Sequence, residues 1–397
     1  MMKIIYLDNA ATTPVDKEVL KEMLPYFEKN FENASTLYKL GREARRAVEK
    51  SRKIIADFLQ VSSEEIIFTS GGTEANNLAI KGVALANPGK KQIITSVIEH
   101  PSVLETCRFL EKQGYRVDYI PVDKEGIVSV EEIKRRINKD TLLVSVMHVN
   151  NEIGTIQPIE EIAEICRQKK VLFHTDAVQS FGKLKIDASK FDLLSASGHK
   201  INCVKGVGFL YIKKGIRISG ILNGGGQERG MRSGTENVSG IVSLGKAVEI
   251  AEERIKNKES ERVERLRDKI INELLKINGT RLNGSRDKRI FSNVNISFEN
   301  IEGEALVLLL DDKGICCSTG SACSSHSLKA SSVLKAIGLG DFGAHGSLRI
   351  TLGWQNNEKE IDFTINEIKK AVARLRKISA DVLTKHMPGG EEHEKER

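Results

Sequence analysis

The chain has 397 residues, 40% hydrophobic and 29% charged, with 33 glycines and only 7 prolines, a balance that excludes a disordered or collagen-like polypeptide. Its 61 basic residues against 54 acidic ones leave a charge of +7, spread along the chain with no basic block, which argues against a nucleic-acid partner. The length suits a large domain with a smaller one, and the six cysteines show neither paired CxxC spacing nor a dense secreted framework, so a reducing, cytoplasmic setting is expected.

From about residue 15 to 251, short apolar runs alternate with helical patterns, the signature of an α/β fold with a mainly parallel sheet covered by helices. In chain order, strands are predicted over 65–69, 92–96, 116–121, 142–148, 171–175, 193–197 and 208–212. Helices are predicted between them over 73–85, 102–113, 130–137 and 159–168, the third opened by a capping box from Ser129 to Glu132. One long helix is expected over 252–277, where Ile255, Val263, Leu266, Ile270 and Leu274 fall at helical spacing. Beyond it, 292–298, 304–311, 348–351 and 361–377 alternate strand and helix in a smaller α+β unit. The expected organisation is a large domain over 15–254, a small domain joining 1–14 to 255–387, and a tail, 388–397, that has nothing to bury and should fray. Apolar runs such as 305–310 are far too short to cross a bilayer and the start is too short for a signal peptide, so no membrane partner is expected.

Three features carry chemistry. In EEIIFTSGGTEANNLAI, Ser70, Gly71, Gly72 and Thr73 lie between a strand and a helix, where free backbone N–H groups and the helix dipole can hold a phosphate; a plain strand–helix turn also needs these glycines. In VLFHTDAVQS, Asp176 ends an apolar strand, placed either to pair with a cationic ring nitrogen or to cap a helix. In DLLSASGHKI another strand ends at Ser197, Gly198, His199 and Lys200, and a lysine crowded by neighbouring cations is a candidate for Schiff-base chemistry. A phosphate cup, a carboxylate and a lysine, each at the end of a different strand, match what pyridoxal phosphate requires. No GxxxxGK[ST] or GxGxxG occurs, which counts against nucleoside triphosphates and dinucleotides.

These segments, together with YLDNAATTPVD, EHPSV, MHVNNEIGTIQPI, RSGTEN, STGSACSS and HGSLRITLG in the same order, resemble the cysteine desulfurases of the NifS/IscS type, in the group with a long cysteine loop. The resemblance covers nearly the whole chain. It implies the aminotransferase-like fold of the class-V pyridoxal-phosphate enzymes, with a seven-stranded sheet in the cofactor-binding domain. It further implies Lys200 as the cofactor's lysine, Asp176 on its ring nitrogen, His100 stacked on the ring and assisting proton transfers, and Gln179 on the ring hydroxyl. Gly72, Thr73, Ser197 and His199 would hold the phosphate. Asn151 would line the pocket near the substrate carboxylate, which Arg349 would clamp, and Thr235 would reach the phosphate in a neighbouring subunit, implying a homodimer. The chain departs from the family's usual pattern at Asn202-Cys203-Val204, across 33–38, and at Trp354, its only tryptophan.

Cys323 lies in a stretch of small polar residues, 318–325, expected to form an exposed loop, where a thiol near cationic groups can ionise and attack sulfur. Cys316 and Cys317 read as structural. A zinc site from Cys316, Cys317, Cys323 and His326 is disfavoured, since adjacent strand residues point to opposite faces. The resemblance therefore implies removal of sulfur from L-cysteine to give L-alanine and a persulfide on Cys323, delivered to an iron–sulfur scaffold protein or another acceptor. Cys323 is also a candidate ligand of a transient [2Fe–2S] cluster shared with such a partner. The alternatives are a selenocysteine lyase, another pyridoxal-phosphate enzyme, or a protein that mainly carries sulfur or ligates a cluster.

Overall fold

The computed structural model describes residues 4–319 and 330–386. After β1 (Ile5–Tyr6), seven strands build the main sheet: β2 (Ile66–Thr69), β3 (Gln92–Ser96), β4 (Arg116–Ile120), β5 (Thr141–Ser145), β6 (Leu172–Asp176), β7 (Leu193–Ser197) and β8 (Gly208–Ile212). Their order is β2-β8-β7-β6-β5-β3-β4. Only β8 runs against its neighbours, pairing antiparallel with both β2 and β7. Two reversals restore direction, so β2 runs the same way as β7, and the residues that follow β2, β3, β5, β6 and β7 all emerge at one edge. Nearly every residue of β2, β3, β5, β7 and β8 is buried, as expected of strands covered on both faces.

The sequence places all seven strands correctly, with ends shifted by a few residues. The largest shift is in β5, expected to reach His148 and ending at Ser145. Past that point the chain stays tied to β6, with the N–H groups of Val146 and His148 donating to the carbonyls of His174 and Asp176. The helix expected over 73–85 runs from Gly72 to Ala86 with a wide turn at Leu78–Gly82 in its middle. Ser129 does cap the helix Val130–Arg136, but Glu132 turns to Arg135 and Arg136, and the reciprocal capping box forms instead between Ser62 and Glu65.

The single helix expected over 252–277 is two, Val238–Lys256 and Glu259–Leu274. Between the buried Ala251 and Val263 only Ile255 is apolar, so little pins a continuous helix to the core, and the chain turns at Asn257 and Lys258, the latter at φ 55°. The second helix packs with Glu358–His386 over a three-stranded sheet ordered β12-β10-β9, built from β9 (Thr280–Leu282), β10 (Asn293–Phe298) and β12 (Ser347–Thr351), while β11 (Ile315–Cys316) pairs in parallel with β1. One apolar core accordingly joins Ile5 and Leu7 to Val263, Ile296, Leu306, Leu348 and Ile368. The main core includes Phe58, Phe181 and Phe209, edge to face at 5.4 and 4.9 Å, contacts worth about 0.5–1.5 kcal/mol each beyond burial. Among the described residues, no helix is long and apolar enough to cross a membrane.

A buried ion pair secures the edge of the main sheet. Arg52 meets Glu228 in a two-point contact at 2.7 Å, both side chains 5% exposed, and Glu228 also accepts the N–H of Phe68 in β2 at 2.8 Å. Replacing Arg52→Met strands the Glu228 charge and should destabilise the fold by about 3–5 kcal/mol, read as a lower urea midpoint. The double change with Glu228→Leu should lose less than the sum of the two single changes.

Candidate active site

The strand ends meet at a cavity of about 230 Å³. Of the residues singled out from the sequence, Gly72, Thr73, His100, Asn151, Asp176, Gln179, Ser197, His199, Lys200 and Arg349 line it. Thr235 does not; it is exposed in the segment before the helix Val238–Lys256. Cys323 lies outside the described residues, as does the tail 388–397. Ser318, expected in an exposed loop, is 9% exposed and hydrogen-bonded to the site, because its hydroxyl meets the Arg349 guanidinium.

At one end the chain leaves β2 through Ser70 and Gly71. Gly71 sits at φ 150°, which a residue with a side chain rarely adopts, and a Cβ on Gly72 would lie 2.6 Å from Val178 Cγ2. These constraints bring the N-terminus of the helix beginning at Gly72 against Ser197 and Val178. Backbone N–H groups and the helix dipole there suit an anion, with Ser197 and His199 at the same end of the cavity. Burial, with Lys200, Lys205 and Lys183 nearby, pushes His199 down to about 4, so its ring is neutral, and Nδ1 lies 3.2 Å from Thr12 Oγ1.

On the floor, Asp176 is 5% exposed and accepts from Val178 N–H at 2.9 Å and from Asn76 Nδ2 at 2.6 Å. Lys200 Nζ donates to the carbonyls of Ala10 at 2.5 Å and Ala11 at 2.7 Å, and Gln179 Nε2 donates to Ala10 at 3.0 Å. The segment YLDNAATTPVD thus contributes backbone acceptors to the lysine. The Asn202-Cys203-Val204 departure is accommodated by Asn202 at φ 64°, held by Thr13, Pro14 and Arg254, so the turn after Lys200 is anchored without proline. Trp354 packs on Phe291 with ring centroids 5.3 Å apart and planes tilted by 39°, and lines a small cavity with Lys200.

Opposite, Arg349 enters from β12. It is 2% exposed. Nη2 donates to Asp8 Oδ1 and Ser318 Oγ, each at 2.8 Å, and Nη1 to the carbonyl of Asn151 at 3.2 Å; Nε is buried without a partner among the described residues. A guanidinium lining the cavity fits an incoming carboxylate. Cys317 is buried and its thiol is pushed up to about 12 by that burial, as expected of a structural cysteine; Cys316, half-buried, pairs with Tyr6.

Sequence reading missed Asp8, Asn76, Glu99 and Ser102. All lie inside segments already singled out, and only their three-dimensional neighbours reveal them. Glu99, behind His100, has its carboxyl pushed up to about 8 by burial, with Asp176 adding to the effect, despite hydrogen bonds from Ser96 Oγ at 2.5 Å and Met147 N–H at 3.0 Å. The cavity as a whole offers an anion cup, a carboxyl group placed as an acceptor, an amine and a guanidinium. That set fits a phosphorylated pyridine aldehyde with an amino acid beside it.

Comparison with known proteins agrees. The class-V aminotransferase family model matches residues 5–363. A cysteine desulfurase IscS from Methanosarcina thermophila is 52% identical over 381 residues, covering 95% of this chain and 94% of that one. Among solved structures, a NifS-like protein superposes with a TM-score of 0.88 at 39% identity, over 94% of this chain and 100% of that one. SspA in complex with cysteine does so with a TM-score of 0.78 at 40% identity, over 87% and 98%.

The Glu99 carboxyl stays protonated to about pH 8 in the fold but ionises near its ordinary 4.5 once unfolded, so its contribution to stability falls as pH rises between those values. Glu99→Gln removes that slope. Its melting temperature relative to the parent should rise between about pH 5 and about pH 8 in calorimetry.

Proposed function

We propose, for a chain that belongs to the class-V aminotransferase family and within it to the cysteine desulfurases, that it takes sulfur from L-cysteine, releases L-alanine and holds the sulfur as a persulfide on Cys323. The observation that carries this reading is the convergence on one cavity of Asp176, Lys200 and Arg349 from three separate strands. Pyridoxal phosphate, when bound, supplies an electron sink for the pair released at the substrate α-carbon.

In this reading Gly72, Thr73, Ser197 and His199 would hold the cofactor's phosphate, Asp176 would accept from its ring nitrogen, Gln179 would donate to its hydroxyl, His100 would cover its face and Lys200 would anchor it. Arg349, assisted by Asn151, would receive the substrate carboxylate. Lys200 Nζ, held over the cavity by the carbonyls of Ala10 and Ala11, would accept the α-proton. The thiolate of Cys323 takes the substrate sulfur; the carbon–sulfur bond breaks, a sulfur–sulfur bond forms, and the former Cβ of the substrate leaves as the methyl of alanine.

The proposal includes a homodimer, supported by the exposure of Thr235 away from its own cavity, and a sulfurtransferase that serves an iron–sulfur scaffold or another acceptor. It also includes Cys323 as a thiolate ligand of a transient [2Fe–2S] cluster with that partner, in a reducing cytoplasm. Residues 15–254 are taken as the cofactor-binding domain and 1–14 with 255–387 as the smaller one, supported by their largely separate apolar cores.

Lys200→Ala should abolish both the visible band of the bound cofactor and alanine formation. Cys323→Ser should keep the band and lose persulfide transfer to a thiol acceptor. A Cys323→Ser protein that releases sulfur from L-cysteine at the parental rate would overturn the nucleophile assignment, and parallel assays with L-selenocysteine distinguish a lyase specific for selenium.

A further inference from the structure

Four side chains form a directed hydrogen-bond chain along the floor of the cavity. Asp176 accepts the Val178 N–H on Oδ1 at 2.9 Å and presents Oδ2 as an acceptor. Asn76 therefore has to present its amide nitrogen to Oδ2, at 2.6 Å, which decides the way the amide is turned. The second hydrogen of that nitrogen goes to Ser102 Oγ at 2.9 Å. A hydroxyl already receiving a hydrogen bond has its own hydrogen to place, and its other partner is His100 Nδ1 at 2.8 Å. The backbone N–H of Ser102 points at the same ring nitrogen, at 3.1 Å. Nδ1 is thus an acceptor, and a neutral imidazole whose Nδ1 accepts carries its hydrogen on Nε2.

We propose that Asn76 and Ser102 are positioning residues that lock His100 in the form protonated on Nε2, so that the ring meets cofactor and substrate as a hydrogen-bond donor and not as a base at that nitrogen. The proposal rests on the reading of the cavity as the cofactor site. It refines the assistance in proton transfer expected of His100, because with Nε2 already protonated the ring can orient and polarise a group but has no lone pair there to accept a proton.

Two further observations support the lock. Asn76 is 1% exposed, and its Oδ1 has no partner among the described residues. Turning the amide over would offer that oxygen Ser102 as a donor, but it would also set two oxygens against each other at Asp176, so the fold keeps the costly orientation. Burial also disfavours a second proton on His100, with Lys200 acting in the same direction and Asp176 against it. Ser102 sits in the first turn of the helix Pro101–Glu111, whose N-cap is His100 itself, so ring and hydroxyl are held by one rigid turn.

The test is nitrogen-15 NMR of histidine-labelled holoenzyme, with the His100 signals assigned through His100→Gln. The parent should show a protonated Nε2 and an unprotonated Nδ1. Ser102→Ala should raise the share of His100 carrying its hydrogen on Nδ1 by roughly fivefold, the effect of one lost hydrogen bond, while the visible cofactor band persists. Asn76→Asp, which gives the hydroxyl a carboxylate to face, should shift the signals the same way, and Ser102→Thr should retain the parental pattern. A parent with its hydrogen on Nδ1, or a Ser102→Ala protein with the parental pattern, overturns the proposal. Failure of the underlying cofactor reading would instead appear as a parent without the visible band.

Discussion

The structure around the cavity depends on how one buried guanidinium is matched. Arg349 can sit 2% exposed only because Asp8, Ser318 and the carbonyl of Asn151 surround it, residues 341, 31 and 198 positions away in the chain. That contact docks the N-terminal segment on β12, where Thr351 adds a hydrogen bond from Ala10 N–H at 2.9 Å. Docked in this way, Ala10 and Ala11 turn their carbonyls to Lys200. The three partners use three of the five guanidinium N–H groups and leave Nε without a partner among the described residues, on a side chain that also lines the cavity.

The main sheet supplies the opposite wall by parity. Had β2 been joined directly to β7 in an antiparallel pair, the Gly71-Gly72 turn would have emerged at the far edge, away from Asp176 and Lys200. Inserting β8 between them reverses direction twice and places the anion cup beside the strand ends that bear the carboxylate and the amine. The buried Arg52–Glu228 pair then holds β2 in place through Phe68. Sheet topology and ion pairing therefore act on the same loop, one setting its side of the molecule and the other its position.

Burial around the cavity keeps charge low except where a partner is provided. Glu99 and Glu152 are pushed up toward neutrality, to about 8 and about 7, and His148 and His199 are pushed down to about 4. Lys183, next to Lys200, is pushed down to about 7 by burial and by that neighbour. Against this background Asp176 is placed as a hydrogen-bond acceptor, with Asn76 on one carboxyl oxygen and the Val178 N–H on the other. A site of this kind favours groups that bring the complementary charge with them, a cationic ring nitrogen or a substrate carboxylate.

The sequence by itself determined the alternation of seven strands with helices, the family through its ordered motifs, and most of the residues that line the cavity, though not Asn76 or Ser102. The strands, the Gly71-Gly72 turn, Asp176 and Lys200 rest on local information, a periodicity, a glycine turn or a residue at the end of an apolar run, whereas His100, Asn151, Gln179 and Arg349 were reached only through the resemblance of the motifs to a family. What depended on contacts between distant segments was decided only by the tertiary structure. The break at Lys258 arises where the core stops holding a helix, and Ser318, polar and flanked by small residues, becomes buried because Arg349 reaches it across the chain. Asn76, Ser102 and Glu99 lay within legible motifs, yet their roles follow from the 2.6–3.1 Å geometry that brings three elements together. Hydrogen-bond direction and burial are properties of neighbours in space, and no one-dimensional pattern carries them.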